Sequence, residues 1–301
     1  MSNIGGLVER ARGDSAAIDI MIKNKKVYIP QDPQKTQEFR DFVRPHLGSV
    51  TVFGEKNLEI AQDLAENHRL TVVGHHINPL DTILTKIGLG QVGFGELADR
   101  FTYLARFQMP ADPVFKPWIG VDHVLHIAKS SDIEQMEEAI NLVEPEDKPV
   151  IEECLGLKKR INGIAFSLYL RQLSLPKHGR KRHILGVFPE AEYQLNGGIV
   201  RAPTEVSRIF SDKEGEYILP ILVVGHERWG DVIEKQVLDC VVDVRVLAGK
   251  PFASSLVWKY SSDTVTPVDL VMASLVRLDP SYVSPKDAHF YTPLIELPFL
   301  S

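Results

Sequence analysis

The chain has 301 residues, 44% of them hydrophobic and 25% charged, with a formal net charge of -6. This is the make-up of an ordinary globular protein with a sizeable core, and the mild acidity argues against a general nucleic-acid binder. With only Cys154 and Cys240 present, a disulfide framework or a zinc cluster is not expected, and a reducing compartment is.

The opening "MSNIGGLVERARGDSAAIDI" lacks the basic-then-apolar order of a secretory signal. "IDIMIKNKKVYIP" (Ile18–Pro30) alternates in a way that predicts a strand pair around Asn24 and Lys25. "QDPQKTQEFRDFVRPHL" predicts a helix from near Pro33 to near Pro45, and "SVTVFG" a short strand. In "EKNLEIAQDLAENHR", Leu58, Ala61, Leu64 and Ala65 recur at helical spacing. "LTVVG" then reads as a buried strand, and "NPLDTILTKIGL" as a helix.

The alternation continues. "HVLHIAK" is a predicted strand, "DIEQMEEAINLV" and "KPVIEECLGLKKRINGIAFSLYLRQL" are helices, and "HILGVF", "YILPILVVG" and "VLDCVVDVRVLAG" are strands. "TPVDLVMASLVRL" is a last helix, before an irregular Pro-rich arm, "SPKDAHFYTPLIELPFLS". The order predicts an α/β fold, a sheet covered by helices. The organisation expected is a strand/helix segment over residues 1–48 on an α/β domain over 49–301. The most apolar stretches fall well short of the ~20 residues of a spanning helix.

"VVGHHINPLDTIL" carries the chemistry. His76 leaves a strand, and Asp81 follows five positions later in the first turn of a helix. A carboxylate there can reach back to the imidazole, fix its tautomer and stabilise the imidazolium. The spacing alone leaves two readings, an acid/base pair or a local cap beside two solvated histidines.

Two further features extend the series. Phe188-Pro189-Glu190 follows a buried strand, and "YILPIL" carries Pro220 inside another. A proline there predicts an edge or a bulge. His-x4-Asp after a strand, Phe-Pro-Glu after a strand and Leu-Pro-Ile within one, in this order, resemble the glycerolipid acyltransferase superfamily. "FRDFVRPHLGSVTVFGEKNLEIAQDLAENHRLTVVGHHINPLD", "ADPVFKPWIGVDHVLHIAKSSD", "RAPTEV" and "ILPILVVGHERWGDVIEK" are similar to its soluble, plastid-type glycerol-3-phosphate acyltransferases, over roughly Glu38 to Gly249.

The resemblance implies a mixed, largely parallel central sheet with helices on both faces. It implies an O-acyltransferase, with His76 as general base and Asp81 as its orienter. The donor would be acyl-CoA or acyl carrier protein, and the acceptor a hydroxyl such as that of glycerol 3-phosphate or another lipid-related alcohol. No metal or other cofactor is implied. Lys129, Glu190 and Arg201 are the expected substrate-binding residues. The chain departs from the family where Lys129-Ser130-Ser131 replaces a Lys-Lys-His run. It departs again where Glu190-Ala191-Glu192-Tyr193-Gln194 lacks the arginines that grip a phosphate. A non-catalytic binder of acyl chains or carrier protein, or a thioester hydrolase, is therefore the alternative.

"KHGRKRH" (Lys177–His183) reads either as a solvated loop or as a dock for an acidic partner or an anionic membrane surface. No stacking-aromatic pattern accompanies it, so nucleic acid is not expected. A cytoplasmic or stroma-like location follows, with peripheral membrane contact through the basic run. His226 and Trp229 read first as packing residues, and both cysteines as core residues.

Overall fold

A computed structural model of the chain describes residues 4–78, 80–108, 119–176, 181–190, 194, 198–229 and 238–300. In chain order, the main elements are α1 (Ile4–Lys23), β1 (Tyr28–Ile29), α2 (Pro33–Val43), β2 (Leu47–Phe53), α3 (Glu55–Asn67), β3 (Arg69–Gly74) and α4 (Leu80–Gln91). Then come β4 (Phe101–Arg106), β5 (His123–Ile127), α5 (Ser130–Ala139), α6 (Lys148–Leu168), β6 (Ile184–Val187), β7 (Glu216–Val224), β8 (Val242–Ala248), β9 (Phe252–Ala253) and α7 (Pro267–Leu278). The fold is mixed α/β. Among the described residues, no helix is long and apolar enough to cross a membrane.

The chain divides into two compact units, residues 1–31 with 103–175, and residues 32–102 with 176–301. In the first, β1 pairs antiparallel with β5. Val8 and Ala11 of α1 pack with Met136 of α5 and with Ile151, Cys154 and Leu155 of α6. A buried cation closes this core: Lys158 Nζ lies 2.7 Å from Asp14 and 3.7 Å from Asp132.

The predicted strand pair around Asn24 does not form. α1 runs unbroken to Lys23 and the chain then turns into the short β1. Ile18, Ile20 and Ile22 alternate like a strand, but Val8, Ala11, Ile18 and Met21 also lie on one helical face, and burial follows that face. Ile20, on the other side, is 59% exposed.

In the second unit the strand order is β6-β3-β7-β8-β2, with β9 also on β7. β3 is parallel to both β6 and β7, β7 is antiparallel to β8, and β8 is parallel to β2. The apolar face of α7 covers one core, with Val268, Val271, Met272 and Leu275 packed against Ile218, Leu222 and Val224 of β7. The start of α7 is well determined. Thr266 and Asp269 form a reciprocal capping box, and Pro267 supplies the first turn. The C-terminal arm joins this core through Tyr291 and Leu300.

Pro220 occupies neither an edge strand nor a bulge. It sits within β7, opposite Val73 of β3. Its carbonyl accepts from Gly249 N at 2.9 Å, so its missing N–H points to the β8/β9 side. There the antiparallel ladder breaks, since β9 pairs with Tyr217 and Ile218 while β8 takes over at Ile221. A residue without a donor fits that gap, and the parallel ladder to β3 is untouched.

Candidate active site

β3, β6 and β7 run parallel, so their C-terminal ends open at one edge of the sheet. His75 and His76 leave β3 there, Phe188-Pro189-Glu190 leaves β6, and Gly225-His226 leaves β7. Such an edge is where open α/β sheets gather functional loops.

Asp81 stands in the first turn of α4 and is buried. Its Oδ2 accepts from His76 Nδ1 at 2.9 Å, from Ile77 N at 2.9 Å and from Asn78 N at 3.0 Å. Its Oδ1 meets His226 Nε2 at 2.6 Å. Burial pushes the carboxyl pKa up, but the charge and N–H of His226 and then of His76 outweigh it, holding Asp81 down at about 2. At neutral pH Asp81 is thus an anion that only accepts hydrogen bonds, so the proton between it and His76 belongs to Nδ1. The proton-accepting position of His76 is then Nε2.

The imidazole is also held from its face and its backbone. His76 stacks on Phe188, with ring centroids 4.1 Å apart and planes 12° off parallel. Gln194 N donates to its carbonyl at 2.6 Å. The stacking depends on Gly74, because a Cβ there would lie 2.8 Å from Phe188 Cε1. The His76 side chain keeps 17% of its surface exposed, against 1% for Asp81. A dissolved reactant can therefore meet the histidine but not the aspartate.

Glu190, an expected substrate-binding residue, meets His75. Its Oε1 lies 2.5 Å from His75 Nδ1, with both side chains fully buried. Tyr282 packs edge-on to the His75 ring. The Phe-Pro-Glu block thus serves both histidines, with Phe188 stacked on His76 and Glu190 paired to His75.

Arg201 engages Asp269 through a two-pronged pair, Nε to Oδ1 at 3.1 Å and Nη2 to Oδ2 at 3.0 Å, and its guanidinium lies over the Phe290 ring at 4.0 Å. The Asp269 hydrogen bonds raise the Arg201 pKa further. Lys129 belongs to the other unit, where it precedes the first turn of α5. Of the five predicted site residues, His76 and Asp81 touch each other, and Glu190 joins them through the neighbouring histidine.

Two contacts were not foreseen, His226 with Asp81 and His75 with Glu190. The signal was present in the strand order, since each partner follows the end of a strand parallel to β3. Trp229 is the packing residue expected of it, buried and donating from Nε1 to Cys240 O at 3.1 Å. Of the basic run, Lys181 pairs with Glu96 at 2.6 Å, and residues 177–180 lie outside the described residues. So do most of the "ADPVFKPWIG" loop, residues 191–193, 195–197, and the end of the "ILPILVVGHERWGDVIEK" stretch. A cleft of about 680 Å³, bounded by Arg40, Arg44, Lys86 and Asp99, includes none of these histidines in its lining. No protein-family model matches the chain, and no curated protein does.

Proposed function

We propose that the protein is an O-acyltransferase that moves a fatty acyl group from an acyl thioester, of coenzyme A or acyl carrier protein, to a hydroxyl acceptor. The observation that carries this reading is the His76–Asp81 pair. An imidazole with solvent access donates from Nδ1 to a buried, ionised carboxylate 2.9 Å away. The ordered series of His-x4-Asp, Phe-Pro-Glu and Leu-Pro-Ile supports it, as does the meeting of the first two blocks with His226 where β3, β6 and β7 end. We read the finer architecture as glycerol-3-phosphate acyltransferase-like.

In the proposed reaction, His76 Nε2 takes the proton from the acceptor hydroxyl as its oxygen attacks the thioester carbonyl carbon. The tetrahedral oxyanion collapses, the C–S bond breaks, and the proton on Nε2 passes to the departing thiolate. The products are an ester and a free thiol, with His76 restored. Asp81 stays ionised and stabilises the transient imidazolium. Such general base catalysis typically contributes ~10²–10⁴ in rate.

The acceptor is glycerol 3-phosphate or another lipid-related alcohol. The commitment of Arg201 to Asp269 and of Glu190 to His75 favours an acceptor recognised by something other than a phosphate-gripping arginine. The same observation favours water as a second acceptor, which would make the protein a thioester hydrolase. Incubation with radiolabelled acyl-CoA or acyl carrier protein and a panel of alcohols tests both. Labelled ester is expected, with none from His76→Ala. Equal ester from that variant overturns the reading, and free acid in place of ester selects the hydrolase.

A further inference from the structure

We propose that His226 is a positioning residue of this reaction, a second imidazole that grips Asp81 from behind and thereby holds His76 in its proton-accepting tautomer. The inference rests on the acyl-transfer reading above, and nothing in the His-x4-Asp spacing announces it.

The geometry is asymmetric. The contact from Asp81 to His226 is 2.6 Å and that to His76 is 2.9 Å. The side chain of His226 is wholly buried, whereas that of His76 is partly exposed. His226 therefore cannot meet substrate, and its effect has to pass through Asp81.

A carboxylate accepts only, so His226 donates from Nε2. Its Nδ1 is buried and has no hydrogen-bond partner among the described residues. The ring therefore directs its one paired N–H at Asp81, from the side away from His76.

His226 also settles the carboxylate's rotation. Oδ2 receives three N–H groups from His76, Ile77 and Asn78, whereas His226 is the donor seen on Oδ1 among the described residues. Without it, one oxygen of a buried anion loses that donor, and the carboxylate can turn to share the remaining ones. The backbone is built to deliver the ring. Gly225 has φ +103, and a Cβ there would lie 2.1 Å from Asp243 O, so only glycine lets β7 run this close to β8 just before His226.

The test uses the full chain as His226→Leu, His226→Gln and His226→Asn beside wild type and His76→Ala. The glutamine amide reaches about as far as Nε2, and the asparagine amide falls short. In ester formation, kcat should fall about ten- to a hundredfold in the Leu and Asn variants, the loss of one charge-assisted hydrogen bond, with KM for the thioester within about twofold. The Gln variant should recover to within about threefold of wild type by the same donor argument. Nitrogen-15 spectra of the histidines give an arm independent of activity. His76 should carry its proton on Nδ1 in wild type and the Gln variant, and on a mixture of Nδ1 and Nε2 in Leu and Asn. Should the Leu variant fail to fold, Asn carries the comparison. Unchanged kcat with an unchanged His76 tautomer in Leu or Asn overturns the inference, as does a Gln variant as impaired as Asn. Should wild type make no ester, the acyl-transfer reading fails by itself, and an unchanged tautomer in Leu or Asn still overturns the hold of His226 on Asp81.

Discussion

Replacing Asp81 by Asn removes one charge and keeps nearly the same shape. The amide oxygen can take the place of Oδ2 and still accept from His76, Ile77 and Asn78. The amide nitrogen then faces His226 Nε2, and His226 can answer by moving its proton to Nδ1, which meets no other partner among the described residues. The fold should survive. What is lost is the ionised carboxylate, whose pKa falls from 3.8 to about 2 on folding. That shift corresponds to about 2 kcal/mol of stability at neutral pH. Because the folded pKa is the depressed one, this contribution is complete above about pH 4 to 5 and disappears as pH falls towards 2. Roughly half of it is gone at pH 3. Urea unfolding of both proteins from pH 6 to pH 3 should therefore show the wild-type advantage shrinking by about 1 kcal/mol. In catalysis the variant loses the attraction between imidazolium and carboxylate, about 4 kcal/mol at 4 Å and an effective dielectric of 20, so kcat should fall about a thousandfold. An Asn variant with the wild-type pH dependence of stability, or with more than a tenth of its kcat, refutes the argument.

Three other substitutions probe the frame of the site. Gly74→Ala places a Cβ against Phe188 and tilts the ring beneath His76. It should cost about 1–3 kcal/mol in urea unfolding and lower kcat more than KM. His75→Ala strands Glu190 in a fully buried position and should destabilise by about 3–5 kcal/mol, whereas the paired change His75→Leu with Glu190→Met should recover most of that in thermal melts. Arg201→Ala removes a half-exposed guanidinium from the buried Asp269, which keeps its Thr266 contacts, and should cost about 1–3 kcal/mol. It should also leave the acceptor KM unchanged, and a tenfold rise confined to phosphorylated acceptors would make Arg201 a substrate ligand.

The α/β order was legible because most elements carry both a period and punctuation. Pro33 behind Asp32, and Pro267 behind Thr266, mark helix starts that the structure uses. α1 was misread because three alternating isoleucines imitate a strand inside a helical face. β4 went unmarked because "FTYLAR" offers no alternation, and burial is continuous over Phe101–Tyr103. The His76–Asp81 contact could be read because its partners are five residues apart and separated by a helix start. Glu190 lies 115 positions from His75, and His226 lies 145 from Asp81. No local spacing encodes such pairs. They follow from which strands are neighbours, and a sheet's order is a long-range property.

The same order explains why two adjacent histidines have different fates. Residues leaving a strand in succession point to opposite sides. His75 therefore turns into the protein, where a bare imidazole would be an unsatisfied polar group, and Glu190 from the neighbouring β6 end supplies its partner. His76 turns towards solvent and needs no such shelter, but a partly exposed ring on a strand end would rotate. Three elements stop it: Asp81 from α4 at its edge, Phe188 from the β6 end on its face, and His226 from the β7 end behind the carboxylate. Each of the two outer strands parallel to β3 thus contributes to holding one partly exposed imidazole. A strand end that merely tolerated histidine would need only the first of these contacts; two contacts on the ring and a third fixing its carboxylate partner are what favour chemistry over packing.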